Sequence, residues 1–415
     1  MALSAVAIRT DVNRARVAAA VSRRRRRGAP TRRRGAPMAI QMQSLETQPA
    51  PVVAALSEEE NLRRFGEALD ALRRRVQAEV GEEDLRYIQR VDRASHAAEV
   101  LGRTLIHFSL DPLTYALGIG ALWAHKQLQT TEVGHTVMHG VFNRIEGEHA
   151  YRSQGYTWKI PIDEASWDRG HNKRHHGATN VAGRDPDIHF GPVRLTEHTP
   201  HRWYHRMQLP FTLLVAWPNF SFSMNLHFTG VLDFWQGNGR EQPFDFIEKR
   251  DLKTAVDVHR RALRKALPYY GKEYLLFPAL AGPFFAKVLF ANWLTETMRD
   301  LYSAATIYCG HVGAETARYP EGAIPMNRGH WYAMQVEASN DFEVPWLVSV
   351  FCGALDRQIE HHLFPRLPTQ RLRQVAPEVR AICEAHGVQY RSDSWPRTLK
   401  RALGRIAQLA RPAAA

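Results

Sequence analysis

Cysteine is scarce in this chain. Cys309, Cys352 and Cys383 are the only three in 415 residues, odd in number, far apart and without Cys-x2-Cys spacing. They support neither a disulfide framework nor a cysteine-built zinc site, and they lack ferredoxin-like iron–sulfur spacing. A Gly-x-Gly-x2-Gly loop for flavin or nicotinamide is missing, as is a His-Pro-Gly-Gly haem motif. Any redox chemistry must therefore draw its electrons from outside. Acid is almost missing from the first forty residues, which hold eleven Arg against Asp11 alone. Most of the formal net charge of +13 thus belongs to that leader, and the body needs no nucleic-acid surface to explain it. The mean hydropathy of −0.38 is lowered by the same arginines and by polar loops.

Residues 1–40 are rich in Ala, Arg and Ser, with arginine runs at 23–27 and 32–34. No apolar core followed by a small-residue cleavage site is present, so the pattern is that of an organellar transit peptide rather than a secretory signal. The expectation is a plastid membrane, with a mitochondrial or bacterial inner membrane as the alternative. Residues 41–56 read as linker.

Ser57-x2-Glu60 has capping-box spacing. After it, Leu62, Phe65, Leu69, Leu72 and Val76 form one apolar stripe on a charged helix. Residues 105–123 are apolar but divided by Pro112, and 211–228 contain Pro218 and Asn219. Residues 274–294 are the best candidate for a membrane span, about 20 residues matching a hydrocarbon core of about 30 Å. Glu296 and Arg299 separate it from a second apolar segment ending near Tyr308, as in a helical hairpin. Residues 346–355 are apolar and short. The expected fold is an all-α membrane protein with three to four transmembrane helices. A helical cap, including the polar region 140–208, would hold a dimetal site. A soluble amphipathic helix follows Pro368, and residues 391–415 read as a tail.

Histidine is what the chain has in order. His135-x3-His139, His171-x3-His175-His176 and Gln358-x2-His361-His362 recur along it. With 20 His, a lone His-x3-His is expected about once by chance, and the two tighter patterns far less often. Residues four apart share a helix face, whereas adjacent ones diverge by about 100° and are able to serve different metals. Imidazole suits Fe, Zn, Cu and Ni, so this number of converging rings points to two ions. His311, beside Cys309-Gly310, is placed to be an eighth ligand. Gln358, Glu132 and Asp356 are further candidates as ligands or as partners of ligands, as is His189 with Asp185 and Asp187. His96, His107, His125, His227 and His386 lack partners at ligand spacing and read as structural.

The ordered boxes, above all Gly353-Ala354-Leu355-Asp356-Arg357-Gln358-Ile359-Glu360-His361-His362-Leu363-Phe364-Pro365, resemble those of the membrane-bound fatty-acyl desaturases. The similarity is to the bacterial stearoyl-CoA/linoleoyl-CoA-type branch without fused cytochrome b5. Glu132-Val133-Gly134-His135-Thr136-Val137-Met138-His139-Gly140 and the segment from Ser166-Trp167 to His175-His176 carry it too. The resemblance covers roughly residues 57–390. It implies a diiron centre held by His135, His139, His171, His175, His176, His311, His361 and His362, with no catalytic residue beyond the ligands. It also implies O2 as co-substrate, a fatty-acyl substrate in an apolar tunnel and a cis double bond as product. Box two spaces its first His and the pair by three residues, as in this branch, and Gln358 need not bind iron directly. Soluble diiron proteins use carboxylates and Glu-x2-His; a site of neutral imidazoles leaves the metal charge uncompensated.

Trp123, Trp158, Trp167 and Trp346 are candidates for lining the tunnel. A separate electron donor is implied, ferredoxin or cytochrome b5, which Lys173, Arg174, Arg184, Arg202 and Arg206 would steer; the same cations also fit a non-translocated membrane face. The alternative function is a diiron fatty-acid or carotenoid hydroxylase or ketolase, whose spacing would be the same. A histidine-rich metal transporter is the reading from another class, but its ligands would be expected within the spans rather than flanking them.

Overall fold

The computed structural model describes residues 57–236, 246, 247 and 249–412. The expected leader and linker lie outside them. Helix α1 (Glu58–Ala78) starts at Ser57, whose hydroxyl accepts the Glu60 amide at 3.2 Å and satisfies an otherwise orphan donor. Glu58, Glu59 and Glu60 occupy its first turn and Arg75 its last, matching the helix dipole. The stripe Phe65, Leu69, Leu72 and Val76 is buried against Tyr332, Val336, Leu372 and Val375.

Helices α2 (Glu82–Phe108) and α3 (Pro112–Leu128) form a hairpin. Asp111 caps α3 by accepting from the amides of Leu113 and Thr114, both at 2.9 Å. The two helices approach at Gly102, where a Cβ would stand 2.6 Å from the Leu122 nitrogen. Residues 105–123 are thus the tip of a hairpin and not one element.

Helices α4 (Phe220–Thr229), α5 (Leu252–Gly271) and α6 (Phe285–His311) follow. The stretch 274–294, expected as one span, is instead broken: the chain widens through Lys272–Leu276, turns at Gly282 with φ +54°, and only then enters α6. Glu296 and Arg299, expected at a hairpin bend, lie inside α6 and are buried.

Among the described residues no helix is long and apolar enough to cross a membrane, so the expected three or four spans do not exist as single apolar helices. The reason lies in the charges the helices carry. Lys126 Nζ lies 2.9 Å from Glu273 and 2.5 Å from Glu296; Arg299 lies 2.6 Å from Glu296 and 2.8 Å from Asp300; Arg103 lies 2.8 Å from Glu273. Each ion is tolerable in the interior only because a partner is present, and each shortens the apolar run of its helix.

Helices α7 (Arg328–Glu337), α8 (Trp346–Cys352), α9 (Gln358–Leu363) and α10 (Thr369–Ala385) complete the cap. Where the sequence suggests a tail, the chain forms strand β2 (Ser392–Ser394), parallel to β1 (Asp341–Glu343). It then forms α11 (Trp395–Leu409), whose Ala402 and Ile406 are buried against Ala304 and Tyr308 of α6. The amphipathic spacing of Leu399, Ala402, Leu403 and Ile406 was the available signal.

Candidate metal centre

Two histidine boxes sit on helical segments wound wider than an α-helix. Helix α3 runs on through the π-helical segment Gln129–His135 and Thr136–Met138; the second box lies on Asp168–His175, also π-helical. Such turns recur at functional sites. Here the wide winding has a visible effect: the His176 amide bonds to the His171 carbonyl five residues back at 3.1 Å. The Nε2 atoms of those two rings consequently stand 3.3 Å apart. On the first segment, Trp158 donates its indole N–H to the Gln129 carbonyl at 3.1 Å.

All eight expected imidazoles come together. His135, His139, His171 and His361 form one group with ligand atoms within 4.8 Å of one another, and His175, His311 and His362 form another. His176 stands with His361 and His362 between them. The adjacent pair His175 and His176 thus serves different groups, as the helical angle requires. Gln358 reaches the second group: its amide nitrogen lies 2.7 Å from His311 Nε2 and 3.4 Å from His362 Nε2.

In three of the rings the remaining nitrogen is held from behind, whereas His176 Nδ1 is buried without a partner. His175 Nδ1 donates to Asp185 at 2.9 Å, His311 Nδ1 to the Ala338 carbonyl at 3.2 Å, and His362 Nδ1 to Gln335 at 3.2 Å. Thr179 also contacts His362 Nδ1, at 3.0 Å. Gln335, Thr179 and Ala338 had no signal in the sequence, since each supplies one isolated group. Trp167 was visible only as a tunnel candidate; it stacks on His171 with ring centres 4.5 Å apart and touches His135 and His139 edge-on.

Burial keeps the rings neutral. His135 and His311 are pushed down to about 3, by burial first and then by the His175 charge. His139, His171, His176, His361 and His362 lie well below the ordinary imidazole range for the same first reason. His175 is the exception: burial lowers it, but Asp185 and Asp187 overcome this and raise it to about 9. The donor set therefore suits metal ions. Seven rings offer lone pairs at neutral pH, His361 Nε2 and Gln358 Oε1 are buried without a hydrogen-bond partner, and the potential ligand groups overlap and adjoin one another.

Other candidates lie elsewhere. Glu132 is buried and faces outward from the cluster, accepting from Tyr87 at 2.5 Å, Thr369 at 2.7 Å and Arg373 at 2.9 Å. Asp356 accepts from Ser349 at 2.7 Å. Neither joins a ligand group among the described residues. His189 accepts the Gly183 amide at 3.0 Å, whereas Asp187 does not lie elsewhere: it stands 3.6 Å from both His171 and His175 and forms a potential ligand group with them.

Two spaces adjoin the cluster from different sides. A cavity of about 70 Å³ is lined by His135, His171, His175, His311 and Gln358, and by the apolar Trp158, Ile160, Ile162, Trp167 and Phe228. Trp123 packs instead on Phe351, and Trp346 is exposed. A groove of about 370 Å³ reaches His139 and His176, with Arg144, Lys173 and Arg366 along its walls.

Comparison with known proteins agrees with this architecture. The family model described as Fatty acid desaturase matches residues 111–394. An NADPH-dependent stearoyl-CoA 9-desaturase from Mycobacterium tuberculosis is 30% identical over 339 residues, covering 79% of this chain and 75% of that protein. Fatty acid desaturase 3 from Bos taurus is 26% identical, covering 70% and 59%. An sn-1 linoleoyl-lipid 6-desaturase from Arthrospira platensis is 25% identical, covering 62% and 67%. No solved structure matches the chain significantly.

Proposed function

The chain belongs to the fatty acid desaturase family and is an oxidoreductase that introduces a double bond into a fatty-acyl chain; from that premise we propose how its residues do so. His135, His139, His171 and His361 would hold one iron, and His175, His311 and His362 a second, with His176 between them and Gln358 beside the second. When bound, such an iron pair supplies the O2-dependent oxidation of an unactivated C–H bond, which imidazole ligation permits. The observation that carries this reading is the meeting of eight histidines, seven of them buried, from four separate segments beside an apolar cavity.

The protein's part is to position. Trp158, Ile160, Ile162 and Phe228 receive the acyl chain, exclude water and fix which carbon faces the ligand rings. Asp185 keeps the proton of His175 on Nδ1, leaving Nε2 toward the cluster. Electrons are proposed to enter by the opposite groove, where His139 and His176 are reached past Arg144, Lys173 and Arg366. These cations favour an acidic carrier such as ferredoxin or cytochrome b5. The mycobacterial relative is named as NADPH-dependent, which fits a carrier refilled by a nicotinamide-using reductase.

We place the enzyme on a membrane. Phe108, Leu110 and Leu113 at one hairpin tip, and Leu275, Leu280, Phe284, Phe290 and Trp293 at the other, are largely exposed, and apolar surface of that extent calls for lipid. The leader composition favours a plastid. The test is purification from a membrane host with iron counting, together with lipid analysis of double bonds. Two irons per chain and O2-dependent product are expected; iron-free protein that still forms product would end the proposal.

A further inference from the structure

Trp167 lies flat on the His171 ring, centres 4.5 Å apart, and Trp158 meets Trp167 edge-on at 5.1 Å. Lining the acyl cavity accounts for both indoles as apolar surface, but not for the polar edge of Trp158. That edge donates its N–H to the Gln129 carbonyl at 3.1 Å. It reaches the carbonyl only because Gly134 has no side chain; a Cβ there would collide with the indole nitrogen. The Gln129 amide in turn donates to Asp92 of α2 at 2.7 Å, and the Tyr151 phenol donates to the other oxygen of that carboxylate at 2.9 Å. Tyr156 packs against both hydrophobic clusters, the one holding Trp158 and Trp167 and the one holding Tyr151. Tyr151 itself lies in a mostly exposed stretch, residues 143–155. A ligand ring is thus joined, contact by contact, to a phenol beside a base near the surface.

Indoles and phenols are among the side-chain groups most easily oxidised, and a phenol gives up its electron easily only where a base takes its proton in the same step. Asp92 stands at hydrogen-bond distance to be that base for Tyr151. A site that oxidises unactivated C–H bonds attacks its own walls when no acyl chain fills the cavity. Met138 and Met224 belong with Trp158 and Trp167 to one cluster, and a thioether there is open to sulfoxide formation, which disrupts a core.

We propose that Trp167, Trp158 and Tyr151 carry an unspent oxidising equivalent from the ligand rings to the protein surface, sparing the site when turnover miscarries. This rests on the metal-centre reading above. Trp167 gives one electron toward His171, Trp158 refills Trp167, and Tyr151 refills Trp158 across Tyr156. As it does so, Tyr151 passes its phenolic proton to Asp92, leaving a phenoxyl radical and a carboxylic acid. A thiolate from solvent then supplies one electron, the proton returns from Asp92, and two of the resulting thiyl radicals couple to a disulfide. Productive electrons enter by the other groove, so the path stands idle while an acyl chain is in place.

Iron-loaded full-length protein is given reductant and O2 without acyl substrate, freeze-quenched and examined by electron paramagnetic resonance. A tyrosyl radical is expected in the unaltered protein and its loss in Tyr151→Phe, while the initial rate of double-bond formation with substrate stays the same. Thiol should erase the signal and lengthen the active life of the unaltered protein, but not that of Tyr151→Phe. In that variant, oxygenated Trp158, Trp167 and Met138 should rise several-fold in peptide mass spectrometry. Fluorotyrosine placed at position 151 keeps the packing and the hydrogen bond, and its fluorine should split the radical signal even where Tyr151→Phe proves unstable. Absence of a tyrosyl radical, or a signal that neither variant changes, overturns the path while continued product formation leaves the functional reading intact. Protein that takes up no iron and forms no product overturns both.

Discussion

Asp185 accepts the Nδ1 proton of His175 at 2.9 Å with both side chains buried, and its two oxygens also receive the backbone amides of Asn180 at 2.7 Å and Asp187 at 2.9 Å. One carboxylate thus fixes a ring and a loop together. Asp185→Asn offers a single acceptor oxygen to three donors, so at least one buried donor loses its partner, at about 1–3 kcal/mol. The expected outcome is a lower melting temperature and iron affinity reduced about 10- to 100-fold, read by chelator competition. Unchanged affinity would count against the orienting role.

His175→Ala and His362→Ala each remove a ring from the His175, His311 and His362 group. Product should fall below detection in lipid analysis while the protein still sediments with membranes. Full activity in either variant would refute the ligand assignment.

Glu132 and Arg373 separate stability from metal binding. The pair lies 2.9 Å apart, with Glu132 fully buried. Arg373→Met strands that carboxylate and should cost about 3–5 kcal/mol in denaturant unfolding. The double variant Glu132→Gln/Arg373→Met should recover much of the loss and retain its iron. Iron lost from the stably folded double variant would restore Glu132 as a ligand candidate.

Asp341 and Glu360 share Tyr390, which donates toward both. Burial raises Asp341 to about 6, and burial with the Asp341 charge raises Glu360 well above the usual range. A raised carboxyl favours the neutral form in the fold. Its contribution is complete below the ordinary value near 4 and is lost as pH climbs through about 6. Melting temperature should therefore fall more between pH 5 and pH 7 in the unaltered protein than in Glu360→Gln; matching slopes would exclude the shared-proton arrangement.

The histidine cluster was legible because its members sit at short, repeated spacings that survive any larger uncertainty of fold. His311 was legible only from its place in the order. The residues behind the rings were not, because Thr179, Gln335 and the Ala338 carbonyl come from segments carrying no pattern of their own. Asp185 was found because it neighbours the second box. The helical character held, yet boundaries shifted where charge was taken as punctuation. Glu296 and Arg299 interrupt an apolar string on paper, whereas in three dimensions Lys126 and Asp300 neutralise them inside α6. The wide turn that sets His176 against His171 leaves no mark that a 3.6-residue period would detect.

The rings divide between two approaches: His135, His171, His175 and His311 look into the apolar cavity, while His139 and His176 look into the basic groove. If the donor docks at the basic groove as proposed, lipid and reductant need not take turns. A donor would then dock and depart twice, delivering one electron each time, while the same unreacted acyl chain stays threaded. Kinetically, saturating either visitor should leave the apparent affinity for the other untouched.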